Sequence, residues 1–220
     1  MSMNLVTAQT DLTKPVAKRN VSPESILAVT RRIIEEQGLS GAQARPIAEA
    51  AGCSVGTLYN VFDSLDTLIL RVNAETMSEL CMQVRQVLDR SLRAAPAPVE
   101  HIVALAGAYL DFAQANTLRW SAVFEFRRAS HAQMPAWYDE QIVGLFALVE
   151  ESIAGLPGLK DEAQRAETAR ALWASIHGMV AMAFAGRIAP IDPSNVRRHL
   201  EGILRAVWAG IAAESAPRGA

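Results

Sequence analysis

Residues 44–62, which decide the fold, read ARPIAEAAGCSVGTLYNVF. Two short segments with apolar residues at helical spacing are separated here by a turn at residues 52–54. Ser54 is a strong N-cap, so we expect a helix at about 55–62, preceded by another at about 44–51. Two short helices joined by such a turn have the geometry of a helix-turn-helix, in which the second helix enters the DNA major groove.

The first of these two helices has two possible starting points. Ser40 followed by Gln43 looks like a capping box, which favours an early start. That start would place Pro46 inside the helix, where its ring and its missing N–H are costly. A start after Gln43 places Pro46 in the first turn, where its N–H would be unpaired anyway, and we adopt this start.

The expected second helix has a buried face and an outer face. Leu58 and Phe62 lie four residues apart and share the buried face. Thr57 and Asn60 can bond base edges or phosphates, and the Tyr59 hydroxyl can bond a phosphate. The glycine near the start of this helix leaves room for close approach, and the first N–H groups are free to meet a phosphate. This outer face is therefore a candidate DNA-contacting surface.

The rest of the chain reads as further helices. Ser22 can cap a first helix that begins at Pro23 and stops at Gly38. No stretch shows the alternation of a β-strand. Longer helices are expected at about 65–93, 97–115, 117–129, 135–154, 160–187 and 194–213. The sequence thus predicts an all-α fold of about nine helices, in which an N-terminal three-helix helix-turn-helix domain is joined to a C-terminal helical bundle.

Residues 47–70, IAEAAGCSVGTLYNVFDSLDTLIL, resemble the amino-terminal domain of TetR-type transcriptional regulators. The matching residues are Ile47, Ala48, Ala51, Gly52, Ser54, Gly56, Thr57, Leu58, Tyr59, Phe62, Ser64 and Leu68. The resemblance covers about residues 21–72 and implies a DNA-binding domain there. It also implies an effector-binding and dimerisation domain at 73–215, and we expect residues 1–20 to form a flexible tail.

Some positions depart from the family pattern. Val55 and Leu65 stand where the family often has a basic residue, and Gln43 stands where it often has a Thr or Ser cap. Arg45, in the first turn of the second helix, is the best retained basic contact. The DNA-binding set implied by the resemblance is therefore Arg45, Ser54, Val55, Gly56, Thr57, Tyr59 and Asn60.

The charge distribution limits how DNA could be bound. Lys and Arg number 21 against 23 Asp and Glu, and the net charge of −2 excludes a globally basic polyanion binder. Residues 20–72 hold four arginines and six carboxylates, whereas residues 1–19 hold three basic residues and one aspartate. We hypothesise that the tail is an arm on the DNA backbone or in the minor groove, the alternative being a solvated tail.

Small residues recur at helical spacing on the last two expected helices. The family resemblance implies that these helices pair with their copies in a four-helix bundle, and the alternative is packing within one chain. The predicted dimer residues are Ala174, Gly178, Ala181, Ala185, Gly202, Ala206 and Gly210.

Aromatic residues concentrate between 109 and 146, and Trp173, His177 and Gly178 resemble the Trp-His-Gly signature of one C-terminal subclass of the family. The resemblance places an effector pocket among helices four to eight, and an apolar cavity with a few polar groups suits a small molecule. The expected effector is apolar or amphipathic. An ordinary core position is the alternative for each of the predicted pocket residues Trp120, Phe124, Trp137 and His177.

The ends and the cysteines exclude other classes of protein. Residues 1–20 do not look like a signal peptide, and the longest uncharged run, 16 residues, is too short for a membrane span. Cys53 and Cys81 do not make a disulfide scaffold, which favours a cytoplasmic location, and Cys53 is better explained as a turn filler than as a redox sensor. No Cys or His pair has metal-ligand spacing, so neither metal nor cofactor is expected.

The resemblance implies a ligand-responsive repressor that binds palindromic operator DNA as a dimer and is released by an effector. An all-helical enzyme is an alternative, using His177, or His131 near Asp139 and Glu140, but none of these lies in a nucleophile, metal or phosphate-loop motif. A third interpretation is a helical module that contacts other proteins. The polar residues on the outer face of the second helix disfavour this interpretation, because they suit contact with DNA.

Overall fold

The computed structural model describes residues 21–127, 134–159, 161–185 and 192–215. Within these residues the chain forms nine α-helices and one 3₁₀ turn, Leu39–Gly41, and no β-strand. The all-α fold and the predicted helix order are thereby confirmed. The helices are α1 (Pro23–Gln37), α2 (Ala44–Ala51), α3 (Val55–Phe62), α4 (Leu65–Ala94), α5 (Val99–Ala115), α6 (Thr117–Glu125), α7 (Ala136–Ser152), α8 (Glu162–Ala185) and α9 (Pro193–Ser215).

Serine caps begin three of the first four helices. The Ser22 side chain accepts a hydrogen bond from the Ser25 N–H at 3.2 Å, and Pro23 occupies the first helical position of α1. Ser54 caps α3 and Ser64 caps α4 in the same way. Each cap satisfies one of the N–H groups that a helix start leaves unpaired.

Helix α2 begins at Ala44, as Pro46 required. Gln43 is its N-cap residue, but its side chain makes no capping bond. The Gln43 Nε2 instead donates to the Ser40 carbonyl at 3.1 Å. The early start is wrong because residues 39–41 form a separate 3₁₀ turn.

Two buried clusters form the core, and α4 contributes to both. The N-terminal half of α4, from Leu68 to Ala74, packs with α1, α2 and α3, and we call this unit the head. The C-terminal half, from Met77 to Leu88, packs against α5 and α7 and shares a buried cluster with α6, α8 and α9, and we call this unit the body. The predicted domain boundary at residue 72 lies inside this continuous helix, so α4 belongs to both units.

Helix α6 ends at Glu125 rather than at about 129. Phe126 is extended (φ −62°, ψ 127°), and its ring is buried in the core of the head. The Arg127 Nη1 donates to the carbonyls of Phe124 at 2.9 Å and Phe126 at 3.2 Å, which satisfies acceptors at the helix end. The sequence periodicity could not show this end because a contact with a distant part of the chain determines it.

The body is closed by ion pairs between α5 and α9. The Nη1 and Nη2 of Arg205 donate to the two carboxylate oxygens of Glu100, and Arg197 binds Asp111. Across the described helices, none is both long enough and apolar enough to cross a lipid bilayer.

Candidate DNA-binding surface and effector cleft

Helix α3 presents its polar residues to the outside of the head. Leu58 and Phe62 are buried in the head core, as predicted, and they hold the helix in place. Val55 is half-buried at the edge of that core. The exposed residues of this face are Ser54, Gly56, Thr57, Tyr59 and Asn60.

The turn between α2 and α3 sets the direction of α3. Gly52 has a left-handed conformation (φ 70°, ψ 33°), in which a residue with a Cβ is strained. Its N–H and that of Cys53 bond to carbonyls at the end of α2, with Cys53 N to Ala48 O at 2.9 Å. Because Ala48 is itself buried, this turn ties α3 to the head core.

The start of α3 is held by side-chain contacts. The Ser54 Oγ accepts from the Thr57 N–H at 3.0 Å and lies 2.9 Å from the Thr57 Oγ1. The Ser54 side chain is therefore already used as a cap. The N–H groups of Val55 and Gly56 have no partner within the helix, as in the first turn of any helix, and they point toward its N-terminal end.

The arginines of the head divide into two groups. The Arg31 Nη1 pairs with the Glu79 Oε1 at 3.3 Å, and the Arg71 guanidinium lies 4.1 Å from the centre of a Trp137 ring. Both are held by intramolecular partners. Arg32 on α1 and Arg45 at the start of α2 are exposed, and neither forms an ion pair with the part of the chain that the structure describes.

Three of the four predicted pocket residues come together where α6 meets α8. The rings of Phe124 and His177 are 4.3 Å apart between centres, and those of Trp120 and His177 are 5.4 Å apart. Trp173 stacks on His177 at 4.8 Å with an interplanar angle of 6°. Trp137 is not part of this cluster, because the start of α7 directs it toward Arg71 on α4.

The aromatic cluster forms a wall of an open cleft of about 510 Å³, which we call the interdomain cleft. It is bounded by the end of α1 and the following 3₁₀ turn on the head, and by α6 and α8 on the body. Its described lining is Gln37, Gly38, Leu39, Ser40, Leu118, Trp120, Ser121, Ala122, Phe124, Glu125, His177, Ala181 and Phe184. A molecule in this cleft would touch both units.

A buried tyrosine that sequence reasoning did not single out organises the cluster. The Tyr109 hydroxyl lies 2.7 Å from the His177 Nδ1 and accepts a hydrogen bond from the Trp120 Nε1 at 3.0 Å. Burial raises the pKa of Tyr109 above its ordinary value of 10, so the phenol keeps its proton. Burial also lowers the pKa of His177 below 6.5, so the ring is neutral at pH 7.

The depressed pKa of His177 predicts a pH-dependent stability. The unfolded chain takes up this proton at a higher pH than the folded chain, so the free energy of unfolding should fall between about pH 7.5 and about pH 5.5. Denaturant titrations at the two pH values measure this fall. The His177→Gln variant should lose part of the pH dependence, and an unchanged dependence in that variant would contradict the assignment.

Four of the predicted dimer residues lie on the exposed side of α8 and α9, and Ala181 lines the interdomain cleft. Ala174, Gly202, Ala206 and Gly210 are exposed, whereas Gly178 and Ala181 are half-buried. The Ala185 side chain lies outside the described residues. A Cβ added at each of the three glycines would meet no atom of the described residues within 4 Å. Three large apolar side chains on the same helices are also exposed, those of Met182, Ile203 and Val207.

The residues that an all-helical enzyme would use do not form a catalytic site in the described parts of the chain. His131 lies outside the described residues, and Asp139 and Glu140 are exposed on α7. Among the described side chains, no group of three or more His, Cys, Asp or Glu residues is placed to hold a metal ion.

Two family models match this chain. Residues 26–72 match bacterial regulatory proteins of the tetR family, and residues 102–207 match the Tetracyclin repressor-like, C-terminal domain. The exposed α3 and these matches define a helix-turn-helix transcriptional regulator rather than an enzyme. The chain belongs to the TetR family of transcriptional regulators.

Individual relatives are distant. The chain is 27% identical to the HTH-type transcriptional regulator PksA of Bacillus subtilis (strain 168), over 80% of this chain and 82% of that protein. The solved structure of a protein of unknown function from Rhodococcus sp. RHA1 has a TM-score of 0.65 and 21% identity, covering 91% of this chain and 100% of its own. The fatty acid degradation regulator FadR from Bacillus halodurans has a TM-score of 0.62 and 17% identity, over 83% and 97% of the two chains. These similarities to solved structures show the fold.

Proposed function

We propose that this regulator is a cytoplasmic repressor that binds a palindromic operator as a dimer and leaves it when a small molecule occupies the interdomain cleft. The observation that carries the DNA-binding part is the exposed polar face of α3, held in position by the buried Leu58 and Phe62. In this proposal residues 21–72 read the operator, and residues 73–215 dimerise and bind the effector.

The proposed DNA contacts follow from exposure and chemistry. Thr57 and Asn60 reach base edges or phosphates, and the Tyr59 hydroxyl reaches a phosphate. The first N–H groups of α3 meet a phosphate at the positive end of the helix. Arg45 adds a cation from α2. Because the head has more carboxylates than arginines, groove fit and dimer symmetry supply most of the affinity, and binding to bulk DNA is weak.

A substitution at Gly56 should affect the stability of the head and its affinity for DNA in opposite directions. A Cβ there would come no closer than 3.7 Å to any described atom, at the Ser54 Oγ, so the folded head accepts it. The Gly56→Ala variant should be more stable by about 0.5 to 1 kcal/mol, because alanine is the better helix former. The same Cβ lies on the face toward DNA, so operator affinity should fall in a gel-shift titration. Unchanged affinity would show that DNA does not approach this position closely.

The proposed dimer uses α8 and α9 of each copy. Support comes from the exposed small residues on these helices and from the neighbouring apolar side chains of Met182, Ile203 and Val207. Small residues let helices from two chains approach closely, and two-fold symmetry would present two copies of α3 to one duplex. Their separation then has to match successive major grooves, about 34–36 Å or a multiple of it.

The proposed effector response follows from the position of the cleft. Its lining joins residues 37–40 of the head to α6 and α8 of the body. A bound molecule therefore makes different contacts in different head orientations, and such differential contacts shift an equilibrium between them. The effector thereby moves the two recognition helices away from the spacing that the operator requires.

The N-terminal tail, which lies outside the described residues, is proposed to act as a basic arm. Deleting residues 1–18 removes two lysines and one aspartate, and leaves Arg19. We expect weaker operator binding and a shallower dependence of affinity on salt concentration, because fewer phosphates are neutralised. Titrations at several salt concentrations measure both. Identical affinity and slope for the full and shortened chains would exclude the arm.

The direct test of the proposal is a footprint on the DNA upstream of the protein's own gene, with bulk duplex as competitor. Protection of a palindrome that survives the competitor is the expected result. Protection of no palindrome in that region would contradict autoregulatory operator binding.

A further inference from the structure

We infer that Tyr109 and Trp120 hold His177 as a hydrogen-bond donor to the interdomain cleft, and that the cleft takes a neutral, mainly apolar ligand carrying an acceptor such as a carbonyl oxygen. The inference rests on the proposed function, because the cleft is the site assigned there to the effector. It adds the chemical class of the ligand and assigns Tyr109 as a positioning residue.

The direction of the hydrogen bonds follows from the donors available. The Trp120 indole can only donate, so the Tyr109 oxygen accepts at 3.0 Å. The Tyr109 hydroxyl proton then needs an acceptor of its own, since the side chain is buried. The His177 Nδ1, 2.7 Å away, is the acceptor that the described structure provides. A neutral histidine that accepts at Nδ1 carries its proton on Nε2.

The imidazole ring is held from two sides. Trp173 stacks parallel to it at 4.8 Å, and Phe124 lies 4.3 Å away between ring centres. These contacts restrict its orientation, so the donor direction is set before a ligand arrives. Because His177 lines the cleft, and Tyr109 occupies its Nδ1, the Nε2–H is the polar group of this ring that is left to a ligand.

The lining selects against charged ligands. The apolar side chains of the lining are those of Leu39, Leu118, Trp120, Phe124 and Phe184, and polar side chains of Gln37, Ser40 and Ser121 lie at other points of it. Glu125 supplies the one charge of the described lining, a carboxylate, which repels an anion. A cation would meet the Nε2–H proton of His177 rather than an acceptor, and the Glu125 carboxylate is exposed, so water screens its attraction for a cation. A neutral acceptor on an apolar body satisfies both conditions, and about 510 Å³ accommodates a molecule of two or three fused rings.

The first experiment reads the histidine directly. In a nitrogen-15 NMR spectrum of histidine-labelled protein at neutral pH, His177 should show a protonated Nε2 and an unprotonated Nδ1. The Tyr109→Phe variant should lose this clear preference, because Nδ1 loses its donor. Tyr138→Phe is the matched control, since it removes a hydroxyl from another buried tyrosine and should leave the spectrum of His177 unchanged. A protonated Nδ1 in the unaltered protein would overturn the inference.

The second experiment uses three probes of nearly equal shape. They are 2-acetylnaphthalene, 2-isopropenylnaphthalene, which replaces the carbonyl oxygen by a CH₂ group, and the anion 2-naphthoate. The ketone should bind about tenfold more tightly than the alkene, as expected for one hydrogen bond, and the anion most weakly. Dissociation constants are measured from chemical-shift changes on titration.

The variant His177→Phe keeps an aromatic ring but removes the donor, so the ketone and the alkene should then bind equally. Equal binding of the two to the unaltered protein, a preference that survives in His177→Phe, or no binding of any probe would each overturn the inference.

Operator release separates this inference from the proposed function. If the ketone binds with the expected preference but leaves operator occupancy unchanged, the ligand class stands and the effector response is wrong. If the ketone and the alkene release the operator equally well, the effector response stands and the donor role of His177 is wrong.

Discussion

Replacing Arg119 by alanine should lower the melting temperature by about 4 to 8 °C. Arg119 lies on α6 and is almost fully buried, with 8% of its side chain exposed. Its Nη2 donates to the Glu79 Oε2 and to the Asn116 Oδ1, both at 2.7 Å. Its Nε lies 3.4 Å from the Glu35 Oε1. One guanidinium therefore joins α1, α4 and α6.

The size of this effect follows from the unequal burial of the partners. Removing one member of a fully buried ion pair costs about 3–5 kcal/mol. Here Glu35 and Glu79 are 42% and 36% exposed, so water takes over part of their solvation, and a loss of about 2 kcal/mol is expected. Thermal unfolding followed by circular dichroism measures the change.

Arg85 provides the matched control. Its Nη1 lies 2.7 Å from the Glu151 Oε2, the same distance as in the Arg119 pair, but 41% of its side chain is exposed. The Arg85→Ala variant should therefore cost no more than about 1 kcal/mol. Equal shifts in melting temperature for the two variants would show that burial of Arg119 does not strengthen its ion pairs.

Replacing Tyr59 by alanine should reduce operator affinity by about tenfold without changing the fold. Tyr59 is exposed on the outer face of α3, where its side chain supports no core contact of the head. Substitutions of this kind usually change the free energy of unfolding by less than about 0.5 kcal/mol. A lost hydrogen bond to a charged phosphate together with lost van der Waals contact accounts for a decrease of about 1.4 kcal/mol in binding.

Two further variants make this prediction specific. Tyr59→Phe removes only the hydroxyl, so its affinity should lie between that of the unaltered protein and that of Tyr59→Ala. Val143→Ala changes an exposed side chain on α7, outside the head, and should leave operator binding unchanged. Gel-shift titrations give the affinities, and sedimentation gives the oligomeric state, which should not differ among the variants. Full affinity in Tyr59→Ala would exclude a DNA contact at this position.

The head was largely predictable from local rules. Pro46 allowed one start for α2, and Ser54 marked the start of α3, because a missing N–H and a capping hydroxyl act on the nearest turn of backbone. The spacing of Leu58 and Phe62 indicated the buried face of α3 for the same local reason. Which exposed residues contact DNA remains a prediction.

The body was predictable as helices but not as a site. The sequence predicts that α6 extends to about 129, but the helix ends at Glu125 and Phe126 packs in the core of the head, a contact that helical periodicity does not register. The sequence predicts Trp137 among the pocket aromatics because composition shows that aromatic residues are present, not where they point, and in the structure its ring lies against Arg71. Tyr109 looked like one aromatic residue among several until its hydroxyl was found between Trp120 and His177.

The sequence by itself therefore determined the all-α class, the helix-turn-helix and its outward-facing residues, since these depend on interactions within a few residues along the chain. Only the tertiary structure decided that α6 joins the body to the head through Arg119 and Phe126, and that a cleft opens beside His177. The physical reason is the separation along the sequence of the residues that interact, because these features arise where side chains far apart in the chain meet. The direction of a hydrogen bond or the burial of a charge depends on partners that no local pattern names.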